Sequence, residues 1–165
     1  MADALFTPLC VRMLADGHAV RFRAPGFSMH PSIRDGEWMT VEPAWSASVR
    51  RGDVLLYRSA RGLTAHRVRR IVALDGSRRS LVFGGDNSGD CEERVAPGAI
   101  LGRVVCVERD GRRVDPNALR ARMTARVWHI LAGLKRGLAV CLVEPTRTLR
   151  SGLRRRSVAR QGGLS

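Results

Sequence analysis

The chain has 165 residues, 44% of them hydrophobic and 5% aromatic, with a formal net charge of +14 at pH 7. That is enough for one domain with a genuine core plus an appendage, and too apolar for a disordered polymer. The charge demands a partner or surface that tolerates cations, such as nucleic acid or anionic lipid, or reflects nothing more than an arginine-rich composition.

In chain order, residues 3–17 have helical spacing in Leu5, Phe6, Leu9, Met13 and Leu14, with Asp3 as a cap and Gly17 as a stop. Pro8 lies inside the pattern and allows a kink or a late start. From His18 to Ala24 the chain alternates, Val20 and Phe22 to one face and Arg21 and Arg23 to the other, which predicts a strand. Gly26-Phe27-Ser28-Met29-His30-Pro31 follows. Gly26 permits a sharp bend and Pro31 stops any regular continuation, so Ser28 is presented on a turn at a strand end.

Further strands are expected at Trp38 to Glu42, Val54 to Tyr57, Ala65 to Leu74, Ser80 to Phe83 and Ile100 to Glu108. Glycine-containing turns separate them: Arg51-Gly52-Asp53, Asp75-Gly76, Gly84-Gly85-Asp86-Asn87 and Asp110-Gly111. The fold class predicted is mainly β. An N-terminal helix (1–17) precedes a compact all-β domain (18–114), and a basic helical tail (115–165) follows. In that tail Leu119, Met123, Val127, Leu131, Leu134, Leu138 and Cys141 form an apolar stripe, opposed by Arg120, Arg122, Arg126 and His129. Such a helix packs on the β domain or on a second copy, or lies on an anionic membrane surface. From Arg147 to Arg160 the chain is basic and weakly helical.

Cys10, Cys91, Cys106 and Cys141 have no C-x-x-C spacing, which predicts free thiols rather than a zinc site or a disulfide framework. No basic segment followed by an unbroken apolar run opens the chain, and no stretch reaches the roughly 18 uncharged apolar residues of a spanning helix. The expectation is a cytoplasmic or peripheral membrane protein without signal peptide, transmembrane helix, metal or cofactor.

If Ser28 is a nucleophile, a base must take its proton. Lys135, the only lysine, lies in the tail, and guanidinium does not deprotonate in proteins. Of the four histidines, His18 precedes the first strand, His129 sits in the tail, and His30 is too close to Ser28 in sequence to face it. His66, at the start of a strand, remains, with an ordinary pKa of about 6.5 suited to proton exchange near neutrality. Asp86 and Asp90 lie in the turn that ends the following strand, and that turn approaches His66 if the two strands pair.

Five segments resemble, in order, the successive boxes of type I signal peptidases: Gly26 to Pro31, Arg51-Gly52-Asp53-Val54, His66-Arg67-Val68, Gly85-Asp86-Asn87 and Leu101-Gly102-Arg103-Val104. The likeness covers about residues 20–107 and is closer to the archaeal and endoplasmic-reticulum branch, in which a histidine replaces the catalytic lysine. It implies a LexA-like all-β fold and a serine endopeptidase that cuts leader or signal peptides after small residues. Ser28 would be the nucleophile, His66 the base, and Asp86 or Asp90 the orienting acid. Gly26 and Met29 would shape the oxyanion turn. Gly26 stands where relatives carry a small hydroxyl residue, and a soluble-looking helix stands where membrane-bound relatives carry an anchor. Two other classes fit less of the sequence: a degenerate or autoprocessing module of the same fold, and a basic nucleic-acid-binding protein. Low aromatic content and dispersed arginines argue against specific nucleic-acid recognition.

Overall fold

Alternating apolar and polar residues in short runs separated by glycine turns can bury one side of each strand only by pairing edge to edge. The computed structural model describes residues 2–73, 79–89, 91–118, 121–124, 127, 128 and 130, and of residues 2–4 only the backbone. Helix α1 (Ala2–Ala15) leads into strands β1 (Val20–Arg23), β2 (Trp38–Pro43), β3 (Val54–Ser59) and β4 (Gly62–Ala73). Strands β5 (Arg79–Gly84), β6 (Glu92–Val95), β7 (Ile100–Arg109) and β8 (Arg112–Val114) complete the described sheet. The spatial order is β1-β2-β7-β3-β4-β5-β6, with β8 pairing β7, and every pairing is antiparallel. The protein is therefore mainly β with an N-terminal helix. Among the described residues no helix is long and apolar enough to cross a membrane.

Pleating sends the side chains of β3 to two separate cores. Val54 and Leu56 join Val41, Val104 and Val107 on one face, and Leu55 and Tyr57 join Val68, Leu81 and Phe83 on the other. Each of these side chains is almost wholly buried. A buried Leu, Val or Phe contributes roughly 1.5–3 kcal/mol relative to exposure. Helix α1 closes the first core with Cys10 and Leu14, and Phe6 meets Phe22 edge-on at 5.1 Å. The helix passes through Pro8 and ends at Ala15, while Leu5 and Leu9, expected on its apolar stripe, are exposed.

Strand β6 has no counterpart among the predicted strands. Its side chains Glu92, Glu93 and Arg94 are exposed and only Val95 is buried, so it carries no apolar alternation to read. A charged strand of this kind suits the outer edge of a sheet. The predicted tail helix is described only in part. Arg122, expected on the outward polar face, instead turns inward to Asp53 at 2.9 Å, whereas Met123, Val127 and Ile130 are exposed. The carboxylate of Asp53 has two cationic partners, Arg122 and, at 3.2 Å, Arg103, and this double pairing is the physical reason Arg122 faces the sheet. Leu131 onward, including Leu134, Leu138, Cys141 and the basic stretch to Arg160, lies outside the described residues.

Candidate active site

β1 runs into the Ser28 turn through Ala24 and Pro25. Gly26 bends the chain with φ +87°, a conformation that a side chain would oppose, and its N–H donates to Asp35 Oδ1 at 2.6 Å. Ser28 is exposed on this turn and the neighbouring Met29 is buried as an anchor in the first core. A second loop, the one that follows β5, grips the turn from the side. Asn87 N–H donates to the Ser28 carbonyl at 2.8 Å, and Asn87 Nδ2 donates to the Phe27 carbonyl at 3.3 Å. Gly85 makes that approach possible, since a Cβ there would lie 2.5 Å from the Ser28 carbonyl oxygen.

β4 delivers His66. In the β3–β4 hairpin Leu55 opposes His66 and Tyr57 opposes Thr64, so Tyr57 and His66 are diagonal neighbours on one face. His66 Nε2 lies 3.1 Å from Ser28 Oγ, joining residues 38 positions apart in sequence. On its other side His66 Nδ1 is 3.2 Å from the Tyr57 hydroxyl, which in turn donates to Glu93 Oε2 at 2.9 Å. Glu93 reaches this face because it opposes Phe83 across β5 and β6, and Phe83 belongs to the same core as Tyr57.

His66 is half-buried, and burial pushes its pKa below the ordinary histidine value. The charges of Glu93 and Asp86 pull it upward, and Arg69 reinforces the lowering. The net direction keeps the imidazole neutral, and so able to accept a proton, near pH 7. Burial followed by the Glu93 hydrogen bond and charge drives the Tyr57 pKa well above its usual range, so the phenol stays protonated.

The two carboxylates expected to orient the base fare differently. Asp86 is fully buried and takes a bidentate grip from Arg67, at 2.9 Å to Nε and 2.7 Å to Nη2, with Arg69 at 3.5 Å. It acts on His66 through charge, while a tyrosine hydroxyl occupies the imidazole Nδ1. Asp90 lies outside the described residues. Arg67 is buried too. It also donates to Ser32 Oγ and to the carbonyls of Gly52 and Pro116, so the ion pair ties the Ser28 loop to the start of β3 and of the tail.

Of the other histidines, His30 turns to Trp128, the ring centroids 5.0 Å apart, and His18 is exposed. Among the described residues no three His, Cys, Asp or Glu side chains converge as metal ligands, and Cys10, Cys91 and Cys106 are free thiols.

Tyr57 and Glu93, the groups on the far side of His66, were not among the site residues expected from the sequence. Tyr57, the only tyrosine, closes an apolar run and reads as core, which its ring is. Counting back from the Ser59–Gly62 hairpin end would have placed it diagonal to His66. Glu93 gave no signal, because its strand has no periodicity. The chain matches no family model, no curated protein and no solved structure.

Proposed function

We propose that the protein is a serine endopeptidase of the type I signal peptidase kind, working with Ser28 as nucleophile and His66 as general base. The observation that carries the reading is the 3.1 Å contact between Ser28 Oγ and His66 Nε2. A hydroxyl on an exposed turn, facing an imidazole kept neutral by burial, is the pairing that nucleophilic acyl transfer requires.

In the reaction Ser28 Oγ attacks the scissile carbonyl as its proton passes to His66 Nε2. The carbonyl π electrons move to oxygen, and the Ser28 N–H stabilises the resulting oxyanion. The imidazolium then gives its proton to the departing amine as the C–N bond breaks and the acyl-enzyme forms. Water, deprotonated by His66, hydrolyses that ester and restores Ser28. The resemblance of the five boxes supports a substrate with small residues at the first and third positions before the bond. An extended peptide would present them by pairing along a strand.

Incubating the protein with a peptide library and sequencing the products tests this. Cleavage after Ala, Gly or Ser, with a second small residue two positions earlier and no products from Ser28→Ala, is expected. Products that persist in Ser28→Ala, or an uncleaved library, would contradict it.

A further inference from the structure

A base that works through one ring nitrogen needs the proton of its neutral form held on the other. Serine hydrolases of the Ser–His–Asp kind do this with a carboxylate directly on Nδ1. Here the two carboxylates that act on His66 are both placed otherwise. Asp86 is committed to Arg67 and Arg69, and Glu93 reaches the imidazole only across the Tyr57 hydroxyl.

Hydrogen-bond bookkeeping fixes the direction of that bridge. Tyr57 has one proton, and the hydroxyl donates it to Glu93 Oε2 at 2.9 Å. The phenol oxygen is then left with lone pairs toward His66 Nδ1 at 3.2 Å, so Nδ1 must be the donor. Nε2 is consequently the bare nitrogen, and it is Nε2 that faces Ser28 Oγ. All four side chains sit in the order a proton acceptor needs: Glu93, Tyr57, His66, Ser28.

We infer that Tyr57 and Glu93 are the positioning pair of this site, selecting the Nδ1–H tautomer of His66 through a neutral phenol in place of a direct carboxylate. Tyr57 and Glu93 neither gain nor lose a proton in the cycle. When His66 takes the Ser28 proton, Nδ1–H continues to donate to the phenol oxygen. That oxygen is made a better acceptor because its own proton is drawn to Glu93. Buried beside Phe83, 4.5 Å between ring centroids, the phenol is fixed in place by packing on a rigid strand. Tyr57 from β3 and Ser28 contact the imidazole directly, and the charges that act on it are Glu93 from β6, Asp86 from the loop after β5 and Arg69 from β4 itself.

The catalytic meaning of this pair rests on the peptidase reading, but its first test needs no substrate. In ¹⁵N-labelled protein, side-chain NMR reads which nitrogen of His66 carries the proton and where the ring titrates. Wild type is expected to hold the proton on Nδ1. Tyr57→Phe should move the population toward Nε2–H. Glu93→Gln, on an exposed side chain where folding is not at stake, should lower the His66 titration midpoint. On a cleavable peptide or an acylating probe, both variants should lose rate at unchanged KM, Tyr57→Phe by on the order of 10- to 100-fold. An Nε2–H tautomer in wild type, or variants that leave both tautomer and midpoint unchanged, would overturn the assignment. The predicted NMR pattern in a protein that neither cleaves nor labels would uphold the assignment and defeat the peptidase reading instead.

Discussion

Asp86 and Glu93 both act electrostatically on His66, and they occupy opposite surroundings. Asp86 is wholly enclosed and fastened by two arginines, whereas Glu93 lies on an exposed edge strand and touches a single phenol near the imidazole. A buried ion pair is costly to assemble and far costlier to break, so the Arg67–Asp86 contact is a device for holding loops together. A carboxylate in partial contact with solvent can orient a neighbouring dipole without that penalty. The difference teaches that an acid's role is set by what already neutralises it, not by its distance along the chain from a catalytic motif.

The sharpest way to separate the line that runs from Glu93 through Tyr57 and His66 to Ser28 from the arginine-clamped Asp86 is to remove one group from each. Ser28→Ala should lower peptide turnover by on the order of 10³-fold or more while leaving thermal unfolding unchanged. Asp86→Ala should do the reverse in kind. It strands Arg67 without its partner and should cost about 3–5 kcal/mol in chemical denaturation. A stable Asp86→Ala protein with Ser28→Ala-like kinetics would reverse the roles given to the two carboxylates.

Smaller effects probe how the loops meet. Gly85→Ala forces a Cβ against the Ser28 carbonyl, and displacing the nucleophile by about an ångström can cost about 10²-fold in kcat/KM. Asn87→Ala removes the side-chain bonds to the Phe27 carbonyl and Trp128 but keeps the backbone bond to Ser28, for a loss of about 1 kcal/mol in stability. The gentlest probe is pH. Because the folded His66 pKa is lowered, the acid limb of kcat/KM should fall below the usual histidine value of about 6.5. The sign for stability is the same. His66's contribution is complete above the unfolded value and is lost as pH drops toward the lower folded one, since the unfolded chain binds the proton first. An activity limb above 6.5 would mean that the carboxylates, not burial, govern the ring.

Much of the fold was legible because β1 to β5 and β7 carry their own alternation or apolar runs between glycine turns. The meeting of Ser28 with His66 was legible by elimination, since few side chains in this chain can act as a base. Proximity of the Gly85-Asp86-Asn87 loop followed from pairing of β4 with β5, where Arg67 opposes Gly84. Strand β6 was not legible, because its stability comes from pairing with β5 and not from its own residues. The role of Asp86 was hidden for a related reason: Arg67 sits in the same motif as His66, but strand alternation sends it to the opposite face, where it captures the acid. Tyr57 was hidden by doing two things at once, filling the core with its ring and meeting His66 with its oxygen.

The most direct measurement is covalent labelling by a serine-reactive acylating probe, with the modified residue located by mass spectrometry. The account predicts a single adduct on Ser28 in wild type, none in Ser28→Ala, and labelling slowed at least 10²-fold in His66→Ala. An adduct elsewhere, or Ser28 labelling that proceeds at the wild-type rate without His66, would contradict it.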